Sequence, residues 1–254
     1  LRVLEQKIRH GLLDPGWQPA GGDADDVDLD SGRNRDVARR MAFESVVLLS
    51  NDGILPLSDA TRRVALIGPV WGEPRSYLGC YSFANHVLGR DEDPGVAIPP
   101  LGDGLDAAIP AGVTRAKGCG FTDGTDEELA AAVALAAASE VAILTVGDIA
   151  GMFGTGTSGE GCDVADLRLP GRQGELVEAV LATGTQVVLV LVTGRPYALG
   201  AYADRCAAIV QSFMPGVEGT AAITGVLTGE VNPSGKLPIG IPDHHGAQPG
   251  TYLA

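Results

Sequence analysis

Short apolar runs alternate with stretches of helical periodicity from about residue 34 onward. The runs predicted as strands are 46–49, 63–68, 113–116, 141–147, 186–193 and 207–212, and a last edge strand is expected at 237–241. Helical patterns cover 34–45, 100–109, 127–139, 172–181 and 217–227. Because the strands are apolar at consecutive positions, both faces of the sheet should be buried. The alternation predicts an α/β fold, a three-layer α/β/α sandwich with a mostly parallel sheet.

The N-terminal residues follow a different pattern. Leu1, Leu4, Ile8 and Leu12 form the apolar stripe of a predicted amphipathic helix, with charged residues opposite. Residues 15–33 are rich in glycine and aspartate and nearly free of apolar side chains, which is typical of a linker. The helix therefore needs a partner surface that the linker cannot supply.

These patterns divide the chain into four segments. We expect 1–14 to be the last helix of an upstream domain, 15–33 a linker, 34–243 the sandwich domain and 244–254 a tail leading to a further segment. The chain starts at Leu1 without a charged and apolar leader, which is typical of the interior of a longer reading frame. The sequence does not indicate a compartment.

Charge excludes two classes of partner. The formal net charge is −14 and the isoelectric point is near 4.6. Proteins that bind nucleic acids or anionic membranes concentrate Lys and Arg, so neither partner is expected. The most apolar stretch, 186–192, has the length of a strand and is too short to span a bilayer. We expect a soluble protein.

The cysteines do not predict a metal site. The chain has four cysteines, and none of them stands at the C-x-x-C spacing of structural zinc sites. Cys80 and Cys119 both follow glycine near strand ends, so a disulfide between them stays open beside the more common arrangement of free thiols. No metal is expected.

A glycine-rich motif at 154–159 matches G-x-G-x-x-G but lacks the context of a dinucleotide site. That site needs its first glycine directly after a strand and its last at a helix start, whereas here the motif begins seven residues after Gly147 and an acidic segment follows it. Around Ser158, Glu160 replaces the second glycine of a nucleophile elbow. No cofactor is therefore expected.

The long loop at 148–170 holds the main candidate for chemistry. A strand-to-helix connection usually has two to six residues, so its length alone indicates a function. Glu160 stands between two glycines, which suggests a carboxyl on a mobile arm, and Asp163 and Asp166 follow closely. The residues alone leave a solvated loop carboxylate as the alternative.

Several motifs together resemble glycoside hydrolase family 3. Ser158-Gly159-Glu160-Gly161-Cys162-Asp163, with 167–173 after it, resembles the acid/base loop of that family and the helix start behind it. The other matching segments, in the order of the family, are 43–57, 64–68, 193–196, 215–219 and 232–238. The resemblance covers residues 34–242, and residues 1–14 look like the last helix of the family's preceding (β/α)8 barrel.

The resemblance implies part of a retaining β-glycosidase, an exo-acting β-glucosidase or β-xylosidase that cleaves terminal sugars from β-linked oligosaccharides. The family places its nucleophilic aspartate in the barrel, in a Ser-Asp-Trp setting that does not occur in this chain. Glu160 is then the general acid/base, and the barrel of the same protein is the expected partner. A non-catalytic carbohydrate-binding or structural module is the alternative.

The same resemblance implies further substrate contacts. Tyr81, Ser82 and Phe83 correspond to a second stretch that faces the sugar, although packing of the two aromatic rings in the core is an open alternative. Asp163 is an expected substrate ligand. Many members have arginine where this chain has Val164, so the contacts of Asp163 can differ from those of the family.

Overall fold

The computed structural model describes residues 1–18, 28–58, 60–61, 63–90, 92–247 and 250. They form two compact units, Leu1–Asn34 and Arg35–Ala254. Part of the predicted linker, 19–27, and most of the predicted tail beyond 247 lie outside the described residues. None of the helices in the described ranges combines the length and apolar character needed to cross a bilayer.

The first unit contains one helix, α1 (Arg2–Arg9). The helix is shorter than the predicted one because Gly11 adopts a left-handed conformation with φ of 69°, which ends the helical turn. None of its residues is buried, and the apolar stripe that includes Leu4 and Ile8 is exposed. The predicted amphipathic helix is therefore present, with its apolar face available for a partner.

The second unit is built on a six-stranded sheet with the strand order β1-β6-β5-β4-β2-β3. The strands are β1 (Val47–Asn51), β2 (Val64–Ile67), β3 (Thr114–Ala116), β4 (Val141–Gly147), β5 (Gln186–Val192) and β6 (Ala208–Gln211). Only β1 runs antiparallel to its neighbour, and the other neighbouring pairs are parallel. The predicted, mostly parallel sheet is confirmed.

Helices cover both faces of this sheet. They are α2 (Gly32–Ser45), α3 (Phe83–Leu88), α4 (Leu101–Ala108), α5 (Asp126–Ala137), α6 (Gln173–Leu181), α7 (Gly200–Ala203) and α8 (Gly219–Thr228). On one face, α2, α4 and α8 pack against alternate strand residues such as Val141 and Ile143. On the other face, α5 and α6 pack against the intervening residues such as Ala142 and Leu144. The result is the predicted three-layer sandwich.

Two local predictions were wrong or incomplete. Residues 237–241 do not join the described six-stranded sheet, although an edge strand was predicted there. Pro233 and Pro238 lack the N–H groups that a paired strand donates, and between them Gly235 N donates one hydrogen bond to Val46 O at 3.0 Å. The short helices α3 and α7 were not predicted, because six and four residues are too few to show a period.

All four cysteines are free thiols, so the bridge between Cys80 and Cys119 is not formed. Cys119 is buried and Cys80 is half-buried. Burial raises the pKa of Cys119 to about 11, which keeps this thiol protonated at neutral pH.

Candidate active site

The candidate site lies where the carboxyl ends of adjacent parallel strands meet. Strand β4 ends at Gly147 and continues into the loop 148–172, and its neighbour β2 leads into the connection 68–100. Parallel strands deliver their following loops to the same edge of a sheet, and ligands of open α/β sheets bind there. The long loop singled out in the sequence therefore faces the long connection that follows β2.

Glu160 is exposed at this edge and contacts Tyr81 from the opposite connection. The Tyr81 hydroxyl donates a hydrogen bond of 2.6 Å to Glu160 Oε2. Among the described residues, no hydrogen-bond donor reaches the other carboxyl oxygen, Oε1. The contact orients the carboxyl group and leaves Oε1 free to meet a ligand.

The glycines on either side of Glu160 allow the loop to pack closely. Gly159 has φ of 109°, and a Cβ atom placed on it would lie 2.3 Å from Gly151 O and 2.8 Å from the Cys80 Cβ atom. Gly161 has φ of 72°, in the left-handed region that other residues rarely adopt. Both positions therefore need glycine for conformation, and Gly159 needs it for space as well.

A buried carboxyl group organises the base of the loop. Asp148 has no exposed surface, and it accepts hydrogen bonds from the Thr157 hydroxyl at 2.7 Å and the Tyr197 hydroxyl at 2.6 Å. Its other oxygen accepts from Gly194 N at 2.8 Å. Burial, with the adjacent Asp148 carboxyl, strongly raises the pKa of Tyr197, so this phenol remains a donor. Asp148 thus connects the start of the Glu160 loop and its middle, at Thr157, to the segment after β5.

A second side chain from the segment after β5, Arg195, stabilises the same loop. Its guanidinium donates to the carbonyl oxygens of Thr157 and Cys162, which lie on either side of Glu160 in the chain. A guanidinium presents several donors in one rigid plane, so one side chain can bridge both carbonyl groups. Asp148 and Arg195 together fix the path of the backbone that carries Glu160.

Three aromatic side chains on the two connections are exposed. Tyr81 is 71% exposed, Phe83 75% and Phe153 78%. Neither Tyr81 nor Phe83 packs in the core, which was the open alternative for these rings. Phe153 was not identified from the sequence. It has φ of 56°, a left-handed value that is unusual for an aromatic residue and is often found at functional sites.

The structure gives Ser82 a local role. Its hydroxyl caps α3 by accepting from Asn85 N at 3.3 Å, and it donates to Gly79 O at 2.9 Å. The capping interaction satisfies a free N–H group in the first turn of the helix. A sugar contact by Ser82 stays a prediction, and it would share the hydroxyl with this cap.

Two acidic residues follow Glu160 along the chain. Asp163 is exposed, and so is Val164 beside it. Asp166 accepts from Arg168 N at 3.0 Å and pairs with the Arg168 guanidinium at 3.3 Å, so it stabilises its own turn. Of Glu160, Asp163 and Asp166, only Glu160 has a described hydrogen bond to the opposite connection, and the role of Asp163 stays a prediction.

The Tyr81 phenol is expected to titrate above its ordinary range. The hydrogen bond to Glu160 raises the pKa of Tyr81, and partial desolvation and the charge of Glu160 add to the effect. Changing Glu160→Ala should bring this pKa back down, which a ¹³C NMR titration of tyrosine Cζ can follow. Tyr202, whose pKa burial raises, serves as the control and should not respond. An unchanged Tyr81 titration in the variant would contradict the contact.

Fold and site together define a class: an α/β sandwich domain that presents a carboxyl-bearing loop at the carboxyl edge of its sheet. Residues 46–254 match the model of the glycosyl hydrolase family 3 C-terminal domain. The chain therefore belongs to glycoside hydrolase family 3, as a C-terminal domain of that family.

Curated relatives agree with this assignment. A beta-xylosidase of Formosa agariphila is 34% identical over 260 residues, which cover 99% of this chain and 34% of the relative. A periplasmic beta-glucosidase of Salmonella typhimurium is 32% identical, with 98% of this chain and 34% of the relative covered. The chain spans about a third of the length of these relatives.

Solved structures share the fold. The beta-glucosidase of Listeria innocua, in complex with isofagomine, superposes with a TM-score of 0.77 at 27% identity. The match covers 95% of this chain and 32% of that one. A beta-glucosidase involved in saponin metabolism from intestinal bacteria gives a TM-score of 0.80 at 26% identity, with 96% and 37% of the two chains covered.

Proposed function

We propose that this domain is part of a retaining β-glycosidase and supplies its general acid/base, Glu160. The nucleophile comes from a (β/α)8 barrel of the same protein. The substrates are β-linked glycosides and oligosaccharides, and the enzyme releases terminal glucosyl or xylosyl residues from their non-reducing ends. The proposal rests on membership of the family together with one observation: the exposed Glu160 carboxyl group, with one oxygen bound by Tyr81 and the other free.

The geometry of Glu160 suits both steps of a retaining mechanism. A retaining enzyme holds two carboxyl groups about 5–5.5 Å apart, one of which attacks the anomeric carbon. In the first step Glu160 gives its proton to the departing glycosidic oxygen while the nucleophile forms the glycosyl-enzyme. In the second step Glu160 takes a proton from water, which attacks the same carbon and restores the free nucleophile.

Tyr81 helps the same carboxyl group to serve in both steps. Its hydroxyl occupies Oε2 and holds the plane of the carboxyl group, so Oε1 carries the proton that moves. Because the Tyr81 phenol is neutral at working pH, it stabilises the carboxylate that forms after proton donation. The rigid frame made by Asp148 and Arg195 keeps this carboxyl group at one place in both steps.

Product stereochemistry and the need for a second domain test the proposal. The complete enzyme should release the β-anomer first, as seen by ¹H NMR during the first minutes of hydrolysis. Residues 1–254 alone should fold, as their circular dichroism and cooperative unfolding would show, and should not hydrolyse aryl β-glycosides. The α-anomer as the first product would contradict retention, and turnover by the purified fragment would contradict the split site. An inactive complete enzyme that binds glycans would favour the non-catalytic module.

A further inference from the structure

A basic cavity adjoins Glu160 and has no part in the chemistry described above. The cavity has a volume of about 480 Å³ and lies between α3 and the first half of the Glu160 loop. Arg75, His86 and Arg90 line it on the side of α3, and none of its described lining residues carries a carboxyl group. In a protein with a net charge of −14, such a cavity is electrostatically unusual.

The two arginines of this cavity form no ion pair with the residues that the structure describes. Within the described chain, neither Arg75 nor Arg90 has a carboxylate within ion-pair distance. Arg75 Nε donates to Asn85 Oδ1 at 3.3 Å, which orients the guanidinium without neutralising it. Asn85 is itself buried and donates to Ala150 O at 3.1 Å, so the same amide holds α3 against the Glu160 loop. The wall with Arg75 is therefore preorganised, and its charge is available to a ligand.

Two residues that line the cavity also contact the segment that carries Glu160. Cys80 lines it, directly precedes Tyr81, and packs against Gly159, where a Cβ atom would lie 3.2 Å from the Cys80 sulfur. Phe153 lines the other side, and its neighbour Gly154 donates through N to Glu160 O at 3.4 Å. A substrate whose glycosidic bond contacts Glu160 can therefore place an anionic group in the cavity.

We propose that this cavity is a subsite for an anionic group on the leaving-group side of the substrate, a carboxylate or a sulfate. The inference rests on the proposed function, because a general acid stands at the oxygen of the leaving group and its neighbours contact that part of the substrate. Arg75 and Arg90 bind the anion, since a guanidinium matches the paired oxygens of such groups. The exposed ring of Phe153 covers the sugar or aryl ring between the anion and the scissile bond.

The test compares an anionic with a neutral leaving group in the complete enzyme. The substrates are 4-carboxyphenyl and 4-carbamoylphenyl β-glycosides with the sugar that the enzyme cleaves fastest, and a 4-sulfophenyl glycoside separates sulfate-like from carboxylate recognition. The quantity is the ratio of kcat/KM for the anionic substrate to that for the neutral one. Arg75→Gln should lower this ratio about tenfold, and the exposed Arg90→Gln about threefold. Added salt should lower the wild-type ratio as well.

Matched variants separate recognition from folding. Arg75→Lys keeps the charge but loses the paired N–H donors, so it should retain more of the ratio than Arg75→Gln does. Arg205→Gln, which removes an arginine paired with Glu178 away from the cavity, should leave the ratio unchanged. An equal loss of kcat/KM on the anionic and the neutral substrate in Arg75→Gln would show that Arg75 has a structural role and does not recognise the anion. An unchanged ratio in both glutamine variants would overturn the subsite.

Equilibrium binding distinguishes this inference from the proposed acid/base role. The 4-carboxyphenyl glycoside is titrated calorimetrically into the Glu160→Ala enzyme and into its double variant with Arg75→Gln. Weaker binding by the double variant supports the subsite even if Glu160 proves not to be the acid. Equal binding by both proteins contradicts the subsite, whatever the kinetics of Glu160 show.

Discussion

Glu160→Ala in the complete enzyme should lower the activity on a substrate to an extent that depends on the quality of its leaving group. Dinitrophenyl glycosides need little protonation, so their first step should survive the loss of the general acid. Substrates with poor leaving groups should lose about 10²–10⁴-fold in kcat/KM, the usual contribution of general acid catalysis. Steady-state kinetics over a series of aryl glycosides measures this effect. A plot of log kcat/KM against the pKa of the leaving phenol should be much steeper for the variant than for the wild type.

The second step of the reaction, breakdown of the glycosyl-enzyme, gives an independent test of the same variant. Without a general base, breakdown of the glycosyl-enzyme should become rate-limiting for the best substrates. Azide needs no base assistance and fits the space left by the carboxyl group, so it should restore turnover and yield the β-glycosyl azide with retained configuration. NMR identification of that azide assigns the role directly, because the nucleophile itself is untouched.

Two controls keep the result specific. Glu160 is exposed and its carboxyl group has one hydrogen bond, so its removal should change the free energy of unfolding by no more than about 0.5 kcal/mol. Asp163→Ala, three residues further on and also exposed, should show neither the steep leaving-group dependence nor azide rescue. A uniform loss across leaving groups in Glu160→Ala, or rescue in Asp163→Ala, would move the acid/base role to another residue.

Asp148→Ala should be among the most destabilising substitutions in the domain. It leaves three donors without their acceptor: the hydroxyls of Thr157 and Tyr197 and the N–H of Gly194. A buried donor without a partner costs about 1–3 kcal/mol, so a total near 3–5 kcal/mol is expected. At about 2–4 °C per kcal/mol, the melting temperature should fall by roughly 6–20 °C. Denaturant and thermal unfolding of the complete enzyme measure the change.

Milder variants keep this prediction testable if Asp148→Ala does not fold. Tyr197→Phe removes one donor and leaves the carboxyl group with two, so it should cost about 1 kcal/mol. Asp204→Ala, which removes an exposed aspartate at the end of α7, should change stability by less than about 0.5 kcal/mol. If Asp148→Ala were as stable as Asp204→Ala, the network would not hold the loop in the way its distances indicate.

The order of strands and helices was predictable because it depends on local composition. All seven residues of β4 are buried and only Thr145 among them carries a polar side chain, while β5 has six consecutive apolar residues after Gln186. Such runs are typical of parallel strands that are buried on both faces. Helix α5 carries a complete capping box, Thr125 with Glu128, which is legible in the sequence. The segment 237–241 was misread because its apolar residues suggested a strand, although the prolines before it and within it prevent regular pairing.

Prediction of the site was less complete. Glu160 stood out by the length of its loop and by the two glycines beside it, and the family motif added its role as an expectation. The glycines were interpreted as a hinge for a mobile arm, whereas Gly159 is required for the close approach of Gly151 and Cys80. Asp148 could have been identified as a carboxyl group directly after a buried strand. Phe153 gave no signal, because neither its exposure nor its left-handed backbone follows from neighbouring residue types.

The sequence by itself determined the α/β class, the strand and helix order and the candidate carboxyl group, since hydrophobic periodicity and motif spacing act over short distances along the chain. Only the tertiary structure decided which side chains meet at Glu160. Tyr81 lies 79 positions before it, and Arg195 comes from the segment after β5. Their contacts depend on β4 lying between β2 and β5, a long-range pairing that no local pattern specifies. That Arg75 and Arg90 have no ion-pair partner among the described residues was equally hidden from the sequence, because an ion pair depends on distances in space.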